Sequence, residues 1–214
     1  MTATVLVLNP NSSAAVTEAI AAATDALAIP GVRFAVEQLD DGPPVIESDA
    51  DLAAATRLVP ERLRARSGVI AAAVVACHGD PGVTESRTTG VPVLGIGETS
   101  FLAACALADR FGLLTLGAEV VARKRHQIDR CGLTTRCAAV EPTGTGVLHG
   151  TTGSPDTAPY LTAAERAIAA GAGSLVLGCA GMVKLRDALQ HELPVPVIEP
   201  VTITCRLAAG LTGR

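Results

Sequence analysis

The sequence contains no tryptophan, one tyrosine and three phenylalanines, so aromatic residues make up only 2% of its 214 residues. A core with so few large rings must be built mostly from smaller apolar side chains, and hydrophobic residues account for 49% of the chain. This composition favours Val- and Ile-rich strands flanked by Ala-rich helices. With only 18% charged residues, the chain is not expected to be disordered. Its length suffices for one large domain or two smaller halves.

Other absences exclude classes of partner and of site. No apolar run approaches the roughly 20 residues needed to span a bilayer, and the N-terminus lacks the features of a signal peptide. We therefore expect a cytoplasmic protein without a membrane partner. The net charge of −4 argues against a general affinity for nucleic acid. The six cysteines show no CxxC spacing and should be mostly reduced, so no metal site is expected.

Short apolar runs alternate with Ala-rich stretches, which is the pattern of βαβ units with parallel strands. The predicted strands cover residues 5–8, 32–39, 68–76, 91–96, 111–115, part of 138–148, 174–178 and 195–198. The predicted helices end near residues 28 and 66 and cover 98–110, 118–130 and 158–170. Residues 150–155 have the composition of a loop, and Pro60 is expected to kink or split its helix.

The chain repeats this order once. The aligned landmarks are Leu6 with Leu113, Cys77 with Cys179, and Val93 with Val197, at offsets of 107, 102 and 104 residues. We therefore predict an α/β fold with two similar Rossmann-like halves, each with a parallel sheet, related by a pseudo-twofold axis. The first half would comprise residues 1–97 plus a C-terminal helix at 200–214, and the second 98–199. Ligands collect at the carboxyl ends of parallel strands, so Cys77 and Cys179 are expected on opposite walls of one cleft.

The paired cysteines are the leading candidates for chemistry. A lone cysteine at the end of a buried strand is usually a small hydrophobic packing residue. Two at equivalent strand ends, each followed by a glycine two residues later, favour a reacting pair in which one thiol removes a proton and the other returns it. We interpret Cys105 and Cys205 as packing residues and assign no role to the remaining two cysteines. His78 either lines the cleft or faces solvent. His126 lies in a charged stretch that is most simply a solvated helix face, and His149 and His191 lack supporting context.

A family resemblance rests on motifs spread along the chain. They are Asn9-Pro10-Asn11-Ser12-Ser13, Gly42-Pro43-Pro44-Val45-Ile46-Glu47, Ala76-Cys77-His78-Gly79-Asp80-Pro81-Gly82, Leu177-Gly178-Cys179-Ala180-Gly181-Met182 and Pro196-Val197-Ile198-Glu199-Pro200-Val201. In this order they resemble the aspartate/glutamate/hydantoin racemase superfamily, most closely its hydantoin and allantoin racemase branch, over almost the full length.

The resemblance implies a racemase without a cofactor or metal that acts on a 5-substituted hydantoin or allantoin as its small-molecule substrate. It implies that Cys77 and Cys179 are the acid/base residues, and it also implies a homo-oligomer. The residues implied in substrate binding are Asn9, Asn11, Ser12, His78, Gly79, Ala180 and Gly181. The branch often has an apolar or aromatic residue at the position of His78, and this departure bears on the substrate's side chain.

Three alternatives stay open at this point. The first is an enzyme like maleate isomerase or arylmalonate decarboxylase on the same fold, although a decarboxylase needs only one proton donor. The second is an aspartate or glutamate racemase, whose members tend to carry Thr or Asn beside the first cysteine. The third is a non-catalytic binding module, which would have no use for two equivalent cysteines.

Overall fold

The structure is a computed structural model that describes residues 2–151 and 156–212. The strands are β1 (Ala3–Asn9), β2 (Val32–Gln38), β3 (Ala72–Val75), β4 (Val93–Gly95), β5 (Phe111–Thr115), β6 (Cys137–Pro142), β7 (Ser174–Leu177) and β8 (Val197–Ile198). The α-helices are α1 (Ala14–Asp25), α2 (Asp49–Arg66), α3 (Val83–Ser86), α4 (Ile96–Leu107), α5 (Val121–Arg130), α6 (Ala158–Ala169), α7 (Arg186–Glu192) and α8 (Pro200–Thr212). Short 3-10 helices lie at Ala118–Val120, Thr134–Arg136, Val147–Gly150 and Ala180–Leu185.

The chain forms two compact units. The first comprises Met1–Ile96 together with Val201–Arg214, and the second comprises Gly97–Pro200. The first unit holds a four-stranded sheet in the order β2-β1-β3-β4, and the second holds one in the order β6-β5-β7-β8. All recorded strand pairs are parallel. The predicted α/β fold with two parallel sheets is confirmed, and the second sheet repeats the strand order of the first.

The core of the first unit packs one face of its sheet against α2. Alternate residues of a strand point to the same face, so the side chains of Leu6 and Leu8 in β1 lie beside those of Ala73 and Val75 in β3. Leu39, Val59, Leu63, Val83 and Val93 complete this buried cluster. The helix α2 is thereby fixed against the strand that leads to Cys77.

The helix α2 begins with a capping box and runs on through a proline. Ser48 Oγ accepts a hydrogen bond from Asp51 N–H at 3.1 Å, and Asp51 Oδ2 accepts one from Ser48 N–H at 2.9 Å. Pro60 lies inside the helix, where it lacks the N–H that would bond the carbonyl of Thr56. The helix is continuous across Pro60, so it does not split there, and the alternative of a kink stays a prediction.

The segment after Cys77 approaches α2 at this proline. Gly82 has φ of +67°, a left-handed conformation that glycine adopts readily. A Cβ at Gly82 would lie 2.9 Å from both Pro60 Cδ and Val59 Cβ, and 3.0 Å from the Thr56 oxygen. The close approach therefore requires glycine, and it ties the turn after Cys77 to the helix α2.

The predicted elements differ from the observed ones in both units, and in the first unit the strand predicted at 68–76 is limited to Ala72–Val75. The strand expected within residues 138–148 begins at Cys137 and ends at Pro142. Proline cannot donate to the ladder, and Gly144 follows with φ of +77°. The chain then forms the 3-10 helix Val147–Gly150 instead of a longer strand. Similarly, α4 starts at Ile96 directly after β4, two residues earlier than expected.

Two expectations concern other parts of the chain. Most of the loop predicted at 150–155 lies outside the described residues. Within residues 2–151 and 156–212, no helix has the length and apolar character needed to cross a membrane.

Candidate active site

Each cysteine of the candidate pair lies just past the last backbone hydrogen bond between two neighbouring strands. In the first unit, Ala76 N–H donates to the carbonyl of Leu8 at 2.8 Å, and Cys77 follows. In the second unit, Gly178 N–H donates to the carbonyl of Leu114 at 2.8 Å, and Cys179 follows. Both cysteines are partly exposed. The predicted equivalence of the two strand ends therefore holds within each sheet.

The turn after Cys77 brings backbone close to its thiol. Asp80 N–H donates to the Cys77 carbonyl at 2.9 Å, which closes the turn. A Cβ at Gly79 would lie 3.8 Å from Cys77 Sγ and 2.8 Å from Leu52 Cδ1 of α2. His78 is only 2% exposed, so the solvent-facing alternative for His78 is wrong.

The N-terminal motif builds a loop around the end of β1. Asn9 is fully buried, and its Nδ2 donates to Asn11 Oδ1 at 3.0 Å and to Thr17 Oγ1 at 2.9 Å. Asn11 Oδ1 also accepts from Ser13 N–H at 2.9 Å. Ser12 Oγ donates to the carbonyl of Gly42 at 3.3 Å. Through these hydrogen bonds, Asn11 and Ser12 hold other residues of the protein in place. That Asn11 and Ser12 also bind a substrate stays a prediction.

A polar atom without a partner lies at the end of each central strand. Asn9 Oδ1 in the first unit and Thr115 Oγ1 in the second are buried and have no hydrogen-bond partner among the residues that the structure describes. Asn9 follows the carbonyl that accepts from Ala76, and Thr115 follows the one that accepts from Gly178. Buried polar atoms are normally paired. These two oxygens are the unpaired ones that lie nearest in sequence to the carboxyl ends of β1 and β5.

The thiol of Cys179 accepts a hydrogen bond from the backbone. Cys179 is the N-cap of the 3-10 helix Ala180–Leu185, and its Sγ accepts from Gly181 N–H at 3.3 Å. An N–H donor stabilises a thiolate more than a neutral thiol, because the bond to the ionised acceptor is the stronger one. This arrangement therefore favours ionisation of Cys179. Ala180 and Gly181 are buried in the same helix, and their predicted contacts with a substrate stay a prediction.

The 3-10 helix Val147–Gly150 lies directly against this turn. A Cβ at Gly181 would clash with the carbonyl oxygen of Val147, so only glycine allows the two segments to approach this closely. Lys184 Nζ donates to the Thr151 carbonyl at 2.9 Å and holds the far end of the segment. The position of the Gly181 N–H thus depends on where residues 145–151 lie.

A tyrosine that the sequence analysis missed anchors residues 145–151. Tyr160 in α6 is fully buried, and its hydroxyl lies 3.1 Å from Thr145 Oγ1 and 3.2 Å from His149 Nδ1. Burial raises the pKa of Tyr160, the hydrogen bond from Thr145 opposes that shift, and the charge of ionised Cys179 raises the pKa further. No local pattern links these residues, because α6 and the 145–151 segment meet only in the folded unit.

Two other cysteines of the second unit have a different environment. Burial raises the pKa of the Cys137 thiol. Burial also raises the pKa of the Cys105 thiol, and the charge of Arg136 partly opposes that second shift. Cys137 Sγ donates to the Ala139 carbonyl at 3.4 Å, as a neutral thiol does. Among the described residues, no group of three or more His, Cys, Asp or Glu side chains is placed to hold a metal ion.

The chain is similar to racemases over nearly its whole length. The profile of the family described as Asp/Glu/Hydantoin racemase matches residues 5–208. A hydantoin racemase of Paenarthrobacter aurescens is 36% identical over 98% of this chain and 91% of its own. Among solved structures, the allantoin racemase from Klebsiella pneumoniae has a TM-score of 0.88 and 35% identity, covering 98% of this chain and 87% of that one.

A second solved structure agrees with this relationship. The allantoin racemase from Pseudomonas fluorescens has a TM-score of 0.88 and 27% identity, covering 97% of this chain and 90% of that one. The family resemblance noted in the sequence motifs is thereby confirmed. The chain belongs to the Asp/Glu/hydantoin racemase family.

Proposed function

We propose that this protein is a racemase that inverts the stereocentre of a 5-substituted hydantoin or of allantoin, with Cys77 and Cys179 as its two acid/base groups. The observation that carries the proposal is the equivalent placement of the two thiols, each one residue past the last ladder bond of its own sheet. The similarity to hydantoin and allantoin racemases supports the substrate class.

The reaction needs one thiolate and one thiol. The thiolate removes the proton bonded to the ring stereocentre, and the electron pair of that C–H bond moves into the adjacent ring carbonyl to give an enolate. The other thiol then donates its proton to the opposite face of the same carbon, so the two sulfurs exchange protonation states. The reverse reaction uses the same groups with their roles exchanged. The hydantoin ring carbonyl acidifies this proton, so the step needs no pyridoxal phosphate or metal.

The Gly181 N–H supports the anionic state of Cys179. A free thiol with a pKa of about 8.5 is only a few per cent ionised at pH 7. A hydrogen bond to the sulfur at 3.3 Å lowers the free energy of the thiolate. We further propose that backbone N–H groups of the two cysteine turns stabilise the enolate oxygen, since donors aimed at developing charge supply a large part of many rate enhancements.

The substrate-binding set consists of Asn9, Asn11, Ser12, His78, Gly79, Ala180 and Gly181. Within it, Asn9 has an acceptor oxygen that lacks a partner among the described residues. A hydantoin ring offers N–H donors to such an acceptor. Because this oxygen is covered, a ring N–H reaches it only when the loop formed by residues 9–13 moves.

We also propose a homo-oligomer, as the family resemblance implies. Leu102 and Leu107 of α4 are 54% and 59% exposed, and an interface between copies would cover such side chains. Light scattering coupled to size-exclusion chromatography tests this, and a monomer at micromolar concentration would contradict it.

The direct test is a racemisation assay on single enantiomers of a 5-substituted hydantoin and of allantoin, followed by polarimetry. We expect Cys77→Ser and Cys179→Ser each to lower the rate by at least about 100-fold, because each removes one acid/base group. Cys131→Ser is the matched control, since Cys131 is a partly exposed cysteine at the end of α5, and it should keep the rate.

Two results would contradict the proposal. One is racemisation at the normal rate by either cysteine variant. The other is wild-type protein that racemises aspartate or glutamate and leaves both ring substrates unchanged, which would favour the amino-acid racemase alternative.

A further inference from the structure

We propose that Tyr160 is a positioning residue for Cys179, acting through the 145–151 segment that its hydroxyl holds against the Gly181 turn. The inference rests on the proposed function in one respect only, namely that Cys179 is a reacting group. It assigns a task to the chain's single tyrosine, which the two-cysteine mechanism does not otherwise use.

The Tyr160 hydroxyl anchors the 145–151 segment. The Tyr160 hydroxyl is bonded to Thr145 Oγ1 at 3.1 Å and to His149 Nδ1 at 3.2 Å, and these partners flank Val147 on either side. The rings of Tyr160 and His149 also contact each other, with centroids 5.8 Å apart. One buried hydroxyl thus fixes both ends of a short segment around Val147.

The helix that carries Tyr160 is itself attached to the sheet of the second unit. Tyr160 lies in the first turn of α6, and Arg166 of the same helix donates to Glu141 Oε2 at 2.7 Å and to the Pro142 carbonyl at 2.9 Å. The helix is therefore tied to β6, the strand that leads into the 145–151 segment. The anchor is held by the sheet of the second unit.

The 145–151 segment is linked to the Cys179 sulfur through Gly181. The Val147 carbonyl lies against Gly181 at a distance that admits no side chain, and the N–H of the same glycine donates to Cys179 Sγ at 3.3 Å. A shift of Val147 must therefore move Gly181 or open the contact. Tyr160 sets the length of a bond that stabilises the thiolate without touching the reacting atoms.

The Tyr160 hydroxyl is bonded to the imidazole of His149, which titrates, and to the hydroxyl of Thr145, which does not. His149 accepts its proton when Nδ1 is unprotonated, and Thr145 then donates to the tyrosine oxygen. Burial and, to a smaller extent, the charge of ionised Cys179 raise the pKa of Tyr160 above its ordinary value. Tyr160 is consequently neutral whenever Cys179 acts at neutral pH.

The test measures the reactivity of Cys179 directly and needs no substrate. Iodoacetamide alkylation of each cysteine is measured by peptide mass mapping between pH 5 and 10, in the wild-type chain and in Tyr160→Phe. A hydrogen bond to a charged group corresponds to a shift of about one pH unit. We expect the alkylation midpoint of Cys179 to rise by about that amount in Tyr160→Phe, with the Cys77 midpoint unchanged.

The controls separate positioning from general destabilisation. Ser174→Ala removes an equally buried hydroxyl of the second unit, bonded at 3.2 Å to the Ala104 carbonyl, and should leave both midpoints unchanged. Thr145→Val keeps the side-chain volume, removes one partner of Tyr160 and should shift Cys179 in the same direction. This variant decides the question if Tyr160→Phe fails to fold.

The inference is overturned if folded Tyr160→Phe or Thr145→Val keeps the wild-type Cys179 midpoint, or if Ser174→Ala shifts it equally. A failure of the proposed function looks different, because it would show as an active Cys179→Ser variant whatever the alkylation profiles are.

Discussion

Replacing Gly181 by alanine tests the contact on which the Cys179 environment depends. The added Cβ would clash with the Val147 carbonyl oxygen. Its distance from that oxygen would be well below 3.0 Å, and Cβ atoms are essentially never found so close to another heavy atom. Ordinary contact begins near 3.4 Å, so the two segments must separate by about 1 Å. Residues 145–151 are held by Tyr160 and Lys184, and the strain therefore falls on Gly181 and its bond to Cys179.

The size of the effect follows from this displacement. A misplacement of about 1 Å near reacting groups costs about 100-fold in rate, so we expect kcat to fall by roughly that factor. Overpacking of this kind also costs about 1–3 kcal/mol of folding free energy. At 2–4 °C per kcal/mol for a chain of about this size, the melting temperature should fall by several degrees.

The assay is the steady-state racemisation rate of one enantiomer, with thermal unfolding by circular dichroism on the same samples. Gly210→Ala is the matched control, because a Cβ at Gly210 in α8 meets nothing within 4 Å. It should keep full activity and gain about 0.5–1 kcal/mol of stability, since alanine is the better helix former. A folded Gly181→Ala variant with more than half of the wild-type kcat would refute the reasoning.

Two further predictions concern stability. Ser48→Ala removes the N-cap of α2 and should cost about 1 kcal/mol in a urea titration without changing kcat; Ser67→Ala at the other end of the helix should cost less, and an equal loss would contradict the capping argument. Burial raises the pKa of Cys137 above its ordinary value, so the unfolded chain loses this proton first and the free energy of unfolding should fall as the pH rises above about 8.5. Cys137→Ala should flatten that fall between pH 8 and 10.5, and an unchanged slope would contradict it.

The sequence alone predicts much of the fold because local patterns set its strands and helices. The apolar run 111–115 coincides with β5, and the Ala-rich stretch 158–170 coincides with α6 to within one residue. The cysteines were located correctly because each follows a buried run directly. Parallel strands then bring the carboxyl ends of neighbouring strands to the same edge of the sheet.

What the sequence does not reveal depends on contacts between distant residues. The bond of Tyr160 to His149 joins a helix to a 3-10 segment, and no periodicity relates their positions. The close approach of Val147 to Gly181 likewise shows only in three dimensions. Asn11 and Ser12 show a different limit of the sequence. Their polar motif suggests a ligand site, but the same side chains also hold together the loop in which they lie.

The measurement that most directly tests the two-cysteine account is α-proton exchange by the single variants in D₂O. Cys77→Ser and Cys179→Ser each keep one group that can remove and return a proton on one face of the stereocentre. Each variant should therefore incorporate deuterium into one enantiomer of the hydantoin without inverting it, and the two variants should choose opposite enantiomers. Full racemisation by either variant would contradict the account.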